Sequence, residues 1–134
     1  MYQQVLALWT QQLGSEHPLV AYPLHGLATL FREQGKYEQA ISFFLRALAI
    51  RENMLASTHL DLAETLHEFA ILREVRGSYE EARSFYERAL VARTHMLGIA
   101  HPSTIETNNR LVALLQDMDR MRGSRTEARR DGSE

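Results

Sequence analysis

Apolar side chains recur along this chain at the spacing of α-helices that bury one face. One stripe consists of Val20, Leu24, Leu27, Ala28 and Phe31, which follow each other at steps of four, three, one and three. After Gly35-Lys36 a second stripe consists of Tyr37, Ala40, Ile41, Phe44, Ala47 and Leu48. Both stripes fit a period of 3.6 residues, which predicts a pair of amphipathic helices.

The pattern repeats itself after 42 residues. When residues 13–54 are aligned with residues 55–96 without gaps, 19 of the 42 positions are identical. The register continues past both blocks, since Leu97-Gly98 and His101-Pro102 follow Leu13-Gly14 and His17-Pro18 by twice the same interval. Such a period is the signature of a stacked repeat protein, in which each unit buries its apolar face against its neighbours.

These patterns predict an all-α fold with six helices, at about residues 2–12, 18–34, 37–53, 60–76, 79–95 and 102–119. Glycine at 35 and 77 suits a tight turn between the two helices of a unit. Proline at 18 and 102 suits the first turn of a helix, where its missing N–H has no partner to lose. Pro23 lies further in, so we expect that helix to start late or to bend.

The repeat also divides the chain. We predict a repeat array over residues 1–119, made of a partial unit 1–12, complete units 13–54 and 55–96, and a partial unit 97–119. Residues 120–134 are rich in arginine and almost free of apolar side chains. We expect them to form a disordered or truncated basic tail.

Composition narrows the classes of function. A net charge of -2 gives no overall field that would attract nucleic acid or an anionic membrane. The chain has no cysteine, which removes disulfides and thiolate metal sites. No apolar run reaches the roughly 18 residues needed to span a bilayer, and the first four residues lack the basic start of a secretion signal. We therefore expect a cytoplasmic protein that binds neither nucleic acid nor membranes.

Several of these residues form a pattern that resembles a known family. Leu27-Ala28-x-x-Phe31, Gly35, Tyr37 and Ala40-x-x-x-Phe44 are similar to the tetratricopeptide repeat. The 42-residue unit and its linker Leu13-Gly14-x-x-His17-Pro18 resemble the kinesin light chain type of that repeat. The resemblance implies a right-handed superhelical stack of antiparallel helix pairs whose first helices line a concave face. It also implies a protein-interaction scaffold and not an enzyme.

One departure from that family concerns its binding residues. Members of this type often carry paired asparagines on the first helix of each unit, where they bind a peptide backbone. Here His25-Gly26 and His67-Glu68 occupy those places, and Asn108-Asn109 lies one residue out of step. The family's asparagine contacts therefore do not transfer directly to this chain.

We predict the binding surface from the stripe opposite the core on the first helices. Its mixture of glutamates with aromatic and aliphatic side chains favours a neutral or basic peptide with an apolar anchor. The competing interpretation is an ordinary solvated face. The predicted peptide-binding residues are Tyr22, His25, Thr29, Arg32, Glu64, His67, Ile71, Glu74, Glu106 and Asn109.

Catalytic and metal chemistry find little support in the sequence. His25, His67 and Glu64 could be imagined as a metal site, but the chain has no H-E-x-x-H spacing, and the repeat alone explains the pair of histidines. His17, His59 and His101 recur before each first helix, which predicts a capping role. No phosphate-binding loop or nucleophile motif is present, so we predict no catalytic residue, no metal and no cofactor.

Two alternatives to a simple scaffold stay open at this stage. The chain could be a regulatory or sensor segment of a larger multidomain signalling protein, for example one with a nucleotide-driven switch domain. It could also form a homo-oligomer, because the apolar side chains of the first helix, around Tyr2 to Trp9, have no preceding helix to cover them.

Overall fold

The computed structural model describes residues 2–56 and 58–132, with all of their side chains except those of residues 54 and 124–132. It contains the six predicted helices. Their bounds are α1 Tyr2–Leu13, α2 Ala21–Glu33, α3 Tyr37–Met54, α4 Leu60–Val75, α5 Tyr79–Leu97 and α6 Pro102–Gly132, and a 3₁₀ turn Pro18–Val20 precedes α2.

The helices stack in chain order as antiparallel pairs. The most extensive contacts join α2 to α3 and α4 to α5, the two helices of each complete unit. The units then meet through α3 against α4 and α5 against α6. Each helix thus packs mainly against its neighbours in sequence, as expected for a repeat array.

Glycine ends the first helix of each complete unit. Gly35 and Gly77 have φ angles of 78° and 84°, a conformation that residues with a Cβ rarely adopt. The amide after each glycine donates to a carbonyl one turn back, from Lys36 to Phe31 and from Ser78 to Arg73, both at 2.8 Å. This Schellman arrangement satisfies carbonyls at the end of the helix and turns the chain into the second helix.

Histidine caps the start of three successive units, at the 3₁₀ turn that precedes α2 and at the first turns of α4 and α6. Nδ1 of His17 accepts from the amide of Leu19, that of His59 from Asp61, and that of His101 from Ser103, at 3.1 to 3.2 Å. Each bond satisfies a backbone donor that has no partner within the helix. The predicted capping role of these histidines is confirmed.

The expectation for Pro23 is also confirmed. The segment after His17 first forms the 3₁₀ turn, and the α-helix begins only at Ala21. Pro23 is the third residue of α2 and is buried. Its missing N–H therefore falls in the first helical turn, where no i−4 carbonyl needs it.

The last helix is longer than predicted. Helix α6 continues to Gly132, so residues 120–132 are helical where we expected a disordered or truncated tail; residues 133 and 134 lie outside the described part of the chain. The position equivalent to Gly35 and Gly77 is Asp119. Without a glycine there, nothing turns the chain, and the polar segment beyond it extends the helix.

The core is continuous along the stack. One cluster around Phe44, Leu66 and Phe69 lies where the two complete units meet. A second around Tyr86, Leu111 and Leu114 joins α5 to α6. A third around Val20, Leu24, Ala47 and Ile50 joins α2 to α3, with Leu6 and Trp9 of α1 against its edge.

Helix α1 approaches α2 closely at one glycine. A Cβ added to Gly26 would lie 2.4 to 2.8 Å from ring atoms of Tyr2. Gly26 is in the interior of α2, where alanine normally favours the helix by about 1 kcal/mol. Glycine is therefore required at position 26 although it disfavours the helix, because the ring of Tyr2 occupies the space that a side chain there would fill.

A double-mutant cycle tests this contact. We expect Gly26→Ala in the Tyr2→Ala background to raise the free energy of unfolding by about 1 kcal/mol, through helix propensity alone. In the presence of Tyr2 the same substitution should give no gain or a loss, because the ring must move. Urea denaturation of the four proteins measures both values, and an equal gain in both backgrounds would show that Tyr2 does not pack on Gly26.

Candidate functional site

The first helices line the inner side of the stack. Helices α2 and α4 contact each other directly, whereas α3 and α5 have no backbone approach of that extent in the described residues. On the outer side the link is made by long side chains, since Arg88 of α5 lies 2.6 Å from Glu52 of α3. Because α2 and α4 are closer together than α3 and α5, the two complete units curve and their inner face is concave.

A groove runs over this face between α2 and α4. It forms an open cavity of about 520 Å³, within the size range of ligand sites. Of the predicted residues it contains His25, Thr29, Arg32 and Glu64, and it also includes Tyr2, Gly26, Leu30, Glu33 and Glu68. The face continues on α6, where Glu106 and Asn109 line a second depression with Ile105 and Ala113.

Side-chain contacts hold α2 and α4 together at the groove. Arg32 pairs with Glu68 in a partly buried contact, so this predicted residue is engaged by the protein itself. The Tyr22 hydroxyl donates to the Asp61 carboxylate at 2.6 Å. That hydrogen bond raises the pKa of Tyr22, and about half of the ring remains exposed at the edge of the face.

Behind the groove lies a buried polar network that the sequence analysis missed. Arg93 of α5 donates to the hydroxyl of Thr107 at 2.8 Å and to the carbonyl of Ser103 at 3.2 Å. The Thr107 hydroxyl also lies 3.0 Å from Nδ1 of His67. One buried threonine thus connects α5, α6 and α4, and satisfies an arginine that would be costly to bury alone.

The same network occurs 42 residues earlier. Arg51 donates to the Thr65 hydroxyl and to the carbonyl of Asp61, and the hydroxyl lies 3.3 Å from Nδ1 of His25. Each imidazole also meets an aromatic ring of its own unit edge-on, His25 with Phe44 and His67 with Tyr86. The repetition shows that this is how each unit joins the next.

This network corrects the prediction for His67. Its side chain is only 1% exposed, so it is part of the junction between units and has no surface with which to touch a peptide. His25 is partly exposed and lines the groove, although its Nδ1 serves the same structural purpose. His25 and His67 occupy equivalent positions because each contacts a buried threonine of the next unit, and not because both contact a ligand.

Burial keeps these histidines neutral. It lowers the pKa of both His25 and His67 below the ordinary value of 6.5, and for His67 the nearby Arg93 lowers it further. Neighbouring carboxylates act in the opposite direction, chiefly Glu64 on His25 and Glu106 on His67, but do not outweigh burial. The acidic groups on the inner face are therefore not neutralised by imidazolium.

The charged residues between α2 and α4 are arranged differently from the equivalent residues on α4 and α6. Arg32 and Glu68 pair across α2 and α4, whereas the residues 42 positions later are Glu74 and Arg110, with the signs exchanged. Burial raises the pKa of Glu74, and Arg110 opposes that change. Glu68 and Arg110 were missed because the prediction followed only one stripe of each helix.

The remaining predicted residues differ in accessibility. Asn109 is exposed, Thr29 is half-buried, and Ile71 is half-buried against the cluster around Tyr86. Glu64 and Glu106 project into solvent, with more than half of each side chain exposed. The face is thus a narrower set of accessible side chains than the sequence predicted.

Metal ligands do not gather in this structure. Among the residues that it describes, no three histidine, aspartate or glutamate side chains are arranged to hold a metal ion. The described helices also include none with the length and apolar character that crossing a membrane requires.

The chain is similar to known repeat proteins. Two family models, both described as tetratricopeptide repeat, match residues 1–53 and 62–103, together more than two thirds of the chain. A comparison with curated proteins finds no match.

Solved structures show the same architecture. The crystal structure of the Podosopora anserina putative kinesin light chain nearly identical TPR-like repeats superposes with a TM-score of 0.79 and 27% identity, covering 86% of this chain and 55% of that one. BtubC (BKLC) from P. vanneervenii superposes with a TM-score of 0.77 at 21% identity, covering 98% of this chain and 56% of that one. The chain therefore spans about half the length of these proteins.

These likenesses confirm the predicted fold class. The structure is a right-handed superhelical stack of antiparallel helix pairs, with the kinesin light chain type of unit. Similarity at 21% identity shows a shared fold and gives no information about binding.

Buried neutral histidine predicts a pH-dependent stability. The unfolded chain has histidine pKa values near 6.5, so below that pH it binds protons that the folded protein does not. The free energy of unfolding should therefore fall as the pH drops from 6.5 toward the lower folded-state pKa, by at most about 1.4 kcal/mol per pH unit for each imidazole. We expect His67→Gln to flatten this fall between pH 6.5 and about 5.5 in urea denaturation.

The exposed His95 in the last turn of α5 supplies the control for this experiment. His95→Gln should leave the slope of the wild-type protein unchanged. An identical slope in wild type and His67→Gln would mean that His67 is not held neutral by the junction.

Proposed function

This chain belongs to the tetratricopeptide repeat family, and we propose that it binds a partner protein by taking up a peptide segment on its concave face. Repeats of this family are generally protein-interaction modules. The observation that carries the proposal is the groove between α2 and α4, which is open, large enough for side chains and lined by mixed acidic and apolar groups.

The inner face suits a peptide better than a small substrate. The cavity is open on its solvent side, and a second open depression lies on α6, so the face offers a series of open sites along the stack and not one enclosed chamber. Its exposed groups are carboxylates, a tyrosine ring, aliphatic side chains and the guanidinium of Arg110. The carboxylates and apolar groups fit a basic or neutral segment with an apolar residue. The backbone beneath is rigid because the units are joined by buried hydrogen bonds, so little ordering is needed on binding.

Blocking the groove tests this proposal without disturbing the core. Ala113 is exposed on the inner face of α6, and arginine there keeps helix propensity while filling the track. Peptides selected from a displayed random library on the purified chain should bind Ala113→Arg at least about tenfold more weakly. Val91, which is 65% exposed on α5 and lies away from this face, gives the control variant Val91→Arg, with unchanged affinity expected.

The result that contradicts the proposal is equally direct. If the library yields only peptides that bind wild type and Ala113→Arg equally well, the concave face of α6 is not part of a binding track. Circular dichroism of each variant shows whether the helices are retained.

Self-association is a second candidate, supported by an apolar strip on α6. Ile105, Val112 and Leu115 are 38 to 44% exposed. The residues equivalent to Ile105 and Val112 in the complete units are alanines that are fully buried. Apolar area of this kind tends to find a partner. The role of a sensor segment in a larger signalling protein stays a prediction from the sequence.

Sedimentation velocity tests self-association. We expect the purified chain to form a concentration-dependent dimer and the double variant Val112→Lys, Leu115→Lys to remain monomeric, because two ammonium groups would have to be desolvated at the contact. A wild-type protein that sediments as a monomer at the highest accessible concentration would rule this candidate out.

A further inference from the structure

Two glutamates on the concave face occupy equivalent positions beside two histidines. Oε1 of Glu64 lies 3.9 Å from Nε2 of His25, and Oε1 of Glu106 lies 3.5 Å from Nε2 of His67. Both distances are longer than those of N–H···O hydrogen bonds. Within the described residues, Nε2 of His67 is buried without a hydrogen-bond partner.

The proton on each imidazole follows from its threonine neighbour. The Thr107 hydroxyl donates its single proton to the carbonyl of Ser103 at 3.2 Å and accepts from Arg93. It therefore accepts from Nδ1–H of His67, which leaves a lone pair on Nε2. Thr65 donates to the carbonyl of Asp61 in the same way, which assigns the same tautomer to His25.

In each histidine–glutamate pair the lone pair of Nε2 thus faces a carboxylate oxygen that is exposed on the concave face. A lone pair and a carboxylate oxygen do not bond to each other, but both attract a positively charged donor. Lysine and arginine side chains are such donors. Nε2 of His67 is buried and does not touch a ligand itself, so the exposed Glu106 is the group that binds, and the imidazole beside it does not neutralise it.

The surrounding charges leave these carboxylates available. Arg32 is already paired with Glu68, and Arg51 lies behind Glu64 with its guanidinium bound to Thr65. Arg110 is the direct competitor, because its Nε is 3.7 Å from Glu106. That pair is exposed and joins positions i and i+4 of one helix, a weak interaction that a ligand can replace.

The spacing of the two glutamates selects a peptide geometry. The side chains of His67 on α4 and Thr107 on α6 approach to 3.0 Å, and helices in such contact lie about 8–10 Å apart. The two glutamates are equivalent on these helices. A polyproline II peptide rises about 3.1 Å per residue with three residues per turn, so side chains three apart lie on the same side about 9 Å from each other. In a β-strand, residues three apart point to opposite sides.

The position one unit earlier carries an aromatic ring. Tyr22 is equivalent to Glu64 and Glu106, and its ring is about half exposed. Arg51 lies 4.9 Å from the centre of that ring. The next turn of a bound polyproline helix would place a side chain on this ring, where proline or another apolar residue packs well.

From these observations we propose that the concave face selects a polyproline II segment with two basic side chains three residues apart, one bound by Glu64 and the other by Glu106. This inference rests on the concave-face binding proposed above and adds the chemistry and the spacing of the ligand. An apolar residue three positions further along would meet Tyr22.

Synthetic peptides of fixed spacing test this inference. Fluorescein-labelled peptides with a central Arg-Pro-Pro-Arg, Arg-Pro-Arg or Arg-Pro-Pro-Pro-Arg sequence, and a charge-reversed Glu-Pro-Pro-Glu peptide, would be titrated with the purified chain by fluorescence anisotropy at low ionic strength. We expect Arg-Pro-Pro-Arg to bind at least about fivefold more tightly than the other three, the factor that one surface ion pair supplies.

Variants identify the carboxylates. Glu64→Gln and Glu106→Gln should each weaken binding of the Arg-Pro-Pro-Arg peptide about fivefold. Glu87→Gln should not, since Glu87 is similarly exposed but lies on α5, away from the face. Glu64→Lys combined with Glu106→Lys should make Glu-Pro-Pro-Glu the preferred peptide.

Two results would overturn the inference. One is equal affinity for the three arginine spacings, and the other is unchanged affinity in Glu64→Gln and Glu106→Gln. If either occurs while library-selected peptides still lose affinity for Ala113→Arg, concave-face binding stands and only the proposed ligand is wrong. If Ala113→Arg also has no effect, both proposals fall.

Discussion

The junction between successive units is the constraint on which the rest of this structure depends. A helix pair of this kind cannot bury its apolar faces alone, so each unit is stable only when packed on the next. Here the junction also contains an arginine, a threonine and a histidine, Arg93, Thr107 and His67, whose polar atoms are buried together. Polar atoms in such a setting must bond to each other in one geometry, which sets how the helices meet more specifically than apolar contact does.

The geometry of the junction determines which side chains are exposed on the concave face. Because the imidazole and the threonine hydroxyl satisfy each other inside the junction, they hold α4 against α6 and direct Nε2 of the histidine toward Glu106. The first helices thereby approach each other, and the stripe that faces solvent becomes a track of carboxylates and apolar groups. The buried His67 therefore has two roles: it joins α4 to α6, and it places its Nε2 beside the exposed carboxylate of Glu106.

Most of the fold could be predicted from the sequence because its signals are local or periodic. Glycine at 35 and 77 predicted where helices end, and histidine at 17, 59 and 101 predicted where they begin. The predicted end of α6 near residue 119 came too early, because a segment rich in arginine and poor in apolar residues was read as disorder, although Asp119 stands where the turn would need a glycine. The binding face was predicted less well, since helical period alone does not show how closely two helices pack. His67 lies on the exposed stripe of an isolated helix but is covered when α6 is in place. The sequence did contain a signal for the buried network, because arginine recurs 42 residues apart at Arg51 and Arg93, and threonine at Thr65 and Thr107. The sequence analysis did not use this recurrence.

The central claim is that ligands bind on the concave face, where the first helices meet. Amide chemical shifts of the isotopically labelled chain, followed by NMR as a library-selected peptide is added, measure this most directly. The account predicts that the largest shifts map to the inner stripe of α2, α4 and α6, with α3 and the outer face of α5 unchanged. Shifts concentrated on α3 and α5 would contradict it.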